Sequence, residues 1–146
     1  MTRRMRVCAA LAACWVSGAL AQSTQATVDF APAPNGYTSF SMPSGNVECI
    51  FTPAGGSKVY QPLDGGPELS CDRLQPTYVR LTMTPKRVDR ADNPGEQTCC
   101  GVDNPLAYGQ RWVKAGFTCD STQEGLLCRR ADGRGFFISR AKISAF

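Results

Sequence analysis

The sequence predicts an all-β domain, a small disulfide-stabilised antiparallel sandwich or barrel of about seven to nine short strands. Three observations carry that prediction. Short runs in which apolar and polar residues alternate recur along the chain, and clusters of Gly, Pro, Asn and Asp separate them. Beyond the N-terminal segment, no window of about 11 residues keeps a helical apolar period without a Gly or Pro inside it. The cysteine count is the third, because six remain once the first 21 residues are set aside.

In chain order, the first run is Tyr37 to Met42, and Pro43-Ser44-Gly45 turns it into Asn46 to Thr52. There Val47, Cys49 and Phe51 alternate with Glu48, Ile50 and Thr52, so one face is apolar. Lys58 to Gln61 reads as a third run, and Asp64-Gly65-Gly66-Pro67 leads into Glu68 to Cys71. Tyr78 to Thr84 is the clearest strand, with Val79, Leu81 and Met83 on one face, and Pro85 ends it. Residues 85–105, which hold three prolines and two glycines, are expected to form a long loop. Leu106 to Lys114, Gly116 to Cys119, Leu126 to Arg130 and Arg134 to Arg140 follow as strands, with Asp132-Gly133 as a hairpin signal and Lys142 to Phe146 as a further strand. Internal repeats are not evident.

The N-terminus reads as an export signal. Arg3, Arg4 and Arg6 precede an apolar run from Val7 to Leu20 that closes on Ala19-Leu20-Ala21 before Gln22, the layout of a cleavable signal peptide. The run is shorter than the roughly 20 residues needed to cross a bilayer, and no second apolar stretch follows, so no transmembrane segment is expected. Leu11-Ala12-Ala13-Cys14 has the form of a lipobox and offers an alternative in which Cys14 is lipidated. The domain reading is thus a signal peptide over 1–21, a flexible lead-in over 22–36 and one β domain over 37–146, secreted or periplasmic after cleavage near Ala21. Cleavage removes three of the 16 basic residues and none of the 12 acidic ones. A nearly neutral body remains, which gives no warrant for nucleic-acid binding.

Cleavage also removes Cys8 and Cys14. An even set of six cysteines in an oxidising compartment is expected to pair. Counting outward from Thr122-Gln123-Glu124-Gly125 sets Cys119 opposite Cys128, within reach of a cross-strand bridge. Cys49 and Cys71 lie on separate predicted strands and form the next pair. Adjacent Cys99 and Cys100 either bridge each other or exchange with another pair.

The absence of histidine excludes Ser-His-Asp and Cys-His catalysis and histidine-containing zinc sites. No cofactor, metal or catalytic residue is assigned. Paired carboxylates, as in glycosidases, stay open. Asp89, Asp92, Asn93, Glu96, Asp103 and Asn104 gather oxygen ligands in the irregular stretch without matching an EF-hand spacing. The candidate binding patch is basic and aromatic: Arg111, Trp112, Arg129, Arg130, Arg134, Phe136 and Arg140. Gly133 and Gly135, with no helix after them, fit a hairpin and a close backbone approach rather than a phosphate cradle.

Leu106-Ala107-Tyr108-Gly109-Gln110, Gly116-Phe117-Thr118-Cys119, Gly125-Leu126-Leu127-Cys128 and Gly133-Arg134-Gly135-Phe136-Phe137-Ile138-Ser139-Arg140, with Pro43-Ser44-Gly45-Asn46-Val47-Glu48-Cys49 and Leu69-Ser70-Cys71-Asp72 upstream, resemble an uncharacterised family of exported bacterial proteins, domain of unknown function 6636. The resemblance spans most of residues 40–146. It departs at Arg134, where the family often has histidine, and at the adjacent Cys99 and Cys100. It implies secretion and a disulfide-bonded β domain, and no activity. The function expected is an exported, non-enzymatic binding or structural module with an extracellular protein or envelope component as partner. The alternatives are a small carboxylate-dependent hydrolase and an inhibitor that presents the Asp120 to Leu127 loop.

Overall fold

A computed structural model describes residues 25–96 and 104–146. The export segment, Cys14, and the Cys99 and Cys100 pairing lie outside the described residues. Among the described residues, eleven strands form two sheets, of order β2-β3-β4-β5-β6 and β1-β7-β8-β9-β10-β11. The five-stranded sheet holds β2 (Thr38–Ser41), β3 (Val47–Thr52), β4 (Glu68–Arg73), β5 (Val79–Met83) and β6 (Val88–Asp92). The six-stranded sheet holds β1 (Ala26–Val28), β7 (Gln110–Lys114), β8 (Phe117–Ser121), β9 (Leu126–Arg130), β10 (Gly135–Ile138) and β11 (Ile143–Ala145). The all-β, two-layer architecture holds, with more strands than the sequence predicts.

Alternation decides which face each strand buries. Val47, Cys49 and Phe51 point inward from β3, and Val79, Leu81 and Met83 from β5, all at most 3% exposed. Against them the other sheet sets Trp112, Phe117, Phe136 and Ile138, each at most 1% exposed. Trp112 sits at the centre, its ring 5.0 Å from that of Phe40 and 5.5 Å from that of Phe51. Burying side chains of this size contributes roughly 1.5–3 kcal/mol apiece.

Both observed disulfides join directly opposed residues on inner faces: Cys49 to Cys71 between β3 and β4, and Cys119 to Cys128 between β8 and β9. Closing loops with sequence separations of 22 and 9 stabilises each sheet by about 3 kcal/mol in the chain-entropy account. Neither bridge links the two sheets.

The structure corrects several expectations. Ala26–Val28, inside the stretch read as a flexible lead-in, pairs in parallel with β7, Val28 opposite Trp112. Val88–Asp92, inside the expected long loop, pairs with β5. Lys58 to Gln61 is not a strand.

The largest correction concerns repeats, because β2–β6 and β7–β11 are two copies of one five-stranded meander. Phe40 faces Cys49 as Trp112 faces Cys119. Leu81 faces Cys71 as Phe136 faces Cys128, and Val88 faces Met83 as Ile143 faces Ile138. The turns after β5 and β10 match as well: Thr84 N–H donates to Arg87 O at 2.9 Å and Ser139 N–H to Lys142 O at 2.8 Å.

Contacts between the copies are reciprocal, the signature of a two-fold relation. Arg73 follows Cys71 by two residues and donates from Nη1 to Ser139 O at 3.5 Å. Arg130 follows Cys128 by two residues and donates from Nη1 to Thr84 O at 3.2 Å. The segments leading into each copy are exchanged too. β1 lies along β7, while Pro105 bridges in parallel to Ser41, and Leu106 N–H donates to Ser41 O at 2.8 Å.

Gly135 shows how close the strands come. A Cβ there would stand 2.0 Å from Cys128 O and 2.8 Å from Arg129 Cα. Gly135→Ala must therefore push β10 away from β9. It is expected to lower stability by about 3 kcal/mol, toward the upper end of the cost of overpacking. Urea unfolding measures this directly, and a loss under about 1 kcal/mol would show that the ladder yields freely.

Candidate functional site

The two copies differ most in one connection. β8 joins β9 through four residues, 122–125, whereas β3 joins β4 through fifteen, 53–67. The framework does not need the longer path, and insertions in repeated units commonly carry the binding face.

The inserted loop is built from its own turns. Gly55 N–H donates to Gly65 O at 2.9 Å, Gly56 N–H to Pro53 O at 3.0 Å, and Ser57 N–H to Tyr60 O at 2.8 Å. Gly56 is required, since its φ is +91° and a Cβ would lie 2.9 Å from Tyr60 O. Lys58 N–H to Asn35 O at 2.8 Å, the Tyr60 hydroxyl to Glu68 Oε1 at 3.0 Å, and a hydrogen bond between Asp64 and Thr84 fix the loop to the rest.

Held this way, the loop walls a hollow of about 710 Å³ on the outer face of the five-stranded sheet. Its floor is the outward-pointing set of the ladder: Ile50 and Thr52, Glu68 and Ser70, Arg80 and Thr82. Ser70 Oγ and Thr82 Oγ1 lie 3.2 Å apart, and either can donate. Asn35 and Tyr37 line another side. On the loop, Val59 is 70% and Leu63 91% exposed, an apolar lip that no core contact explains. The volume falls within the range of small-ligand sites, and the lining is more polar than most of them.

Charge on this face is mostly spoken for. Asp72 is 1% exposed and accepts from Arg80 Nε at 2.8 Å and from the Tyr78 hydroxyl at 2.7 Å. Arg80 also donates from Nη2 to Glu96 O at 2.8 Å, which pins the chain beyond β6. The hydrogen bond to Asp72 raises the Arg80 guanidinium pKa further above its ordinary value. Arg87 pairs with Asp89 beside the hollow. Glu68 is 6% exposed, and burial pushes its carboxyl above the ordinary carboxylate range, while the Tyr60 hydrogen bond pulls the other way. Glu48, opposite Asp72, is raised by burial first and by Asp72 second.

The structure does not bring the sequence-predicted patch together. Trp112 and Phe136 are fully buried. Arg130 points inward, its side chain tied to Asp132 and to Thr84 O. Arg111 and Arg129 stand on the outer face of the six-stranded sheet, 2.6 and 3.9 Å from Asp120. Arg134 and Arg140 are exposed in separate turns. The reason is alternation: Arg111 and Trp112, like Arg129 and Arg130, are sequence neighbours and so face opposite ways.

In the loop proposed for an inhibitor, only Gln123 and Glu124 are exposed. Among the described residues, no group of three or more Cys, Asp or Glu is placed to hold a metal ion. The sequence reading missed the hollow. Its signal was Val59, Tyr60 and Leu63 standing among Pro53, Gly55, Gly56, Pro62, Gly65 and Gly66, apolar residues in a segment too rich in turn formers to be core. Comparison with family models, curated proteins and solved structures finds no match.

Glu68 generates a pH prediction. As pH rises through about 4.3, the unfolded chain ionises this carboxyl before the folded chain does. Stability therefore falls from there until Glu68 ionises in the folded state as well. Glu68→Gln is expected to flatten this fall above about pH 4, read by urea unfolding at several pH values. An unchanged slope would assign the effect to another carboxyl such as Glu48.

Proposed function

We propose that this chain is an exported, non-enzymatic binding module, and that the hollow on the outer face of the five-stranded sheet is its binding site. One observation carries the reading: the long insertion in an otherwise repeated framework forms the wall of a hollow of about 710 Å³. Export rests on the N-terminal Arg3 to Ala21 pattern, in accord with the resemblance to domain of unknown function 6636. Two intrasheet disulfides suit an oxidising compartment. The partner sought is an extracellular protein, glycan or envelope component.

Glu68, a raised carboxyl in a hollow, favours a hydrolase as the second reading. Register weighs against it. Asp72 lies four residues along the same strand, about 13 Å away at strand rise. Asp89 lies two strands across and two residues along, about 12 Å away by the same spacings. These are backbone spacings, wider than the roughly 5–10 Å between the carboxyl groups of glycosidase pairs, and Asp72 and Asp89 are each bound to an arginine; Asp64, whose charge does act on Glu68, is held by a hydrogen bond with Thr84.

Two measurements check the proposal. Mass spectrometry of the secreted protein is expected to find a mature N-terminus at Gln22, and a lipidated Cys14 would replace that assignment. A screen of small polar fragments by ¹H–¹⁵N spectra is expected to concentrate shifts on Ile50, Thr52, Ser70 and Thr82. Shifts gathered on Thr118 and Leu127 of the other outer face would overturn the choice of site.

A further inference from the structure

We infer that the ligand of this hollow is an uncharged, polyhydroxylated molecule of the oligosaccharide class. The inference rests on the hollow being a binding site and adds which chemistry it accepts.

Charge excludes the anionic ligands first. The two guanidinium groups that line the hollow are each engaged, Arg80 with Asp72 and Arg87 with Asp89. Carboxyls Glu68, Asp89 and Glu96 also line the hollow, and none of them attracts an anion. Among the described lining residues each cation already has a carboxylate partner, so a phosphate, sulfate or nucleic acid would have to compete with Asp72 or with Asp89 for it.

Backbone geometry then weighs against an extended peptide. Peptides that join a sheet do so along an edge, where main-chain groups are free. The floor of the hollow is the face of β3, β4 and β5, whose main-chain groups are used in the ladders. On one edge of that sheet, Asn104 to Leu106 already bonds to Ser41. On the other, β6 carries Asp89, Arg90 and Asp92, charges that discourage strand addition.

What the hollow does present is hydroxyl chemistry. Tyr37, Thr52, Ser70 and Thr82 can each donate and accept, as sugar hydroxyls do. Ser70 and Thr82 lie side by side at 3.2 Å and leave each other further donor and acceptor capacity. The Asn35 side-chain oxygen is buried at the margin and accepts from no group among the described residues, so a ligand hydroxyl would complete it. Beside these groups Tyr60, 47% exposed, holds its ring at the lip with its hydroxyl anchored on Glu68. A ring fixed at its polar end and open on its face suits the C–H face of a pyranose.

The test uses the secreted, disulfide-intact protein in ¹H–¹⁵N titrations. The compounds are neutral trisaccharides of glucose, N-acetylglucosamine, galactose and mannose, a heparin hexasaccharide and an uncharged hexapeptide. At least one neutral trisaccharide is expected to shift the amides of Ile50, Thr52, Ser70 and Thr82 saturably. Thr82→Val and Tyr60→Ala are expected to weaken that binding at least tenfold, and Thr118→Val on the opposite sheet to leave it unchanged. Should Tyr60→Ala lose its native spectrum, Thr82→Val, which keeps the side chain's shape and puts a methyl in place of the hydroxyl, decides alone. If only heparin or the peptide moves those amides, the saccharide inference is overturned and the binding site stands. If the trisaccharides bind but their shifts fall elsewhere, the site is overturned instead. If no compound shifts any amide, the saccharide inference is overturned.

Discussion

The seam between the two sheets is the constraint on which the rest of the molecule depends. Among the described residues each disulfide lies within a sheet, so neither of these bridges holds the layers together. They are joined by the burial of Phe40, Phe51, Trp112 and Phe117 against one another, and by two arginines that cross the seam in opposite directions. Arg73 and Arg130 are each at most 9% exposed, and a buried guanidinium is tolerable only when its donors are used. Arg73 satisfies Nε and Nη2 on Thr77 in the turn after its own strand, as Arg130 does on Asp132. The remaining nitrogen of each reaches a carbonyl of the other copy. The pair therefore fixes the register between layers as well as their contact.

That division of labour leaves the outer faces free to differ. On the six-stranded sheet, short connections keep the outer face open, and Asp120 gathers Arg111 and Arg129 on it. On the five-stranded sheet, the 53–67 insertion encloses the same kind of surface. Its polar groups then lose water, which is why Glu68 is raised while Asp72, with Arg80 and Tyr78 on it, stays paired. Polar groups that are fully engaged stiffen a site, and those with spare valence are the ones a ligand can use.

Much of this was legible in the residues, and the failures have physical causes. Strands with one buried face wrote that face as alternation, so β3 and β5 could be read directly. The edge strand β6 buries almost nothing, and its Val-Asp-Arg-Ala-Asp carries no period to read. β1 exists through its pairing with a strand more than eighty residues away, which no local window contains. The repeat is spelled in only a few shared letters, chiefly Cys71-Asp72-Arg73 and Cys128-Arg129-Arg130. The insertion hides it further by stretching the cysteine spacing from 9 to 22. For the opposite reason the basic and aromatic residues do not gather: neighbours in sequence point to opposite faces of a strand, so Trp112 is buried while Arg111 is not.

The exchanged leading segments also govern when the molecule can become itself. Ala26–Val28 has no partner until Gln110–Trp112 exists, and Ser41 closes its edge only against Asn104 to Leu106. As the chain emerges from its N-terminus, the first meander can form while one of its edges stays bare and its own leading strand waits unmatched. Such long-range closure is slow compared with local pairing, so completion belongs to the end of synthesis. The first meander can pair early, and the two-layer fold closes only when its second half arrives.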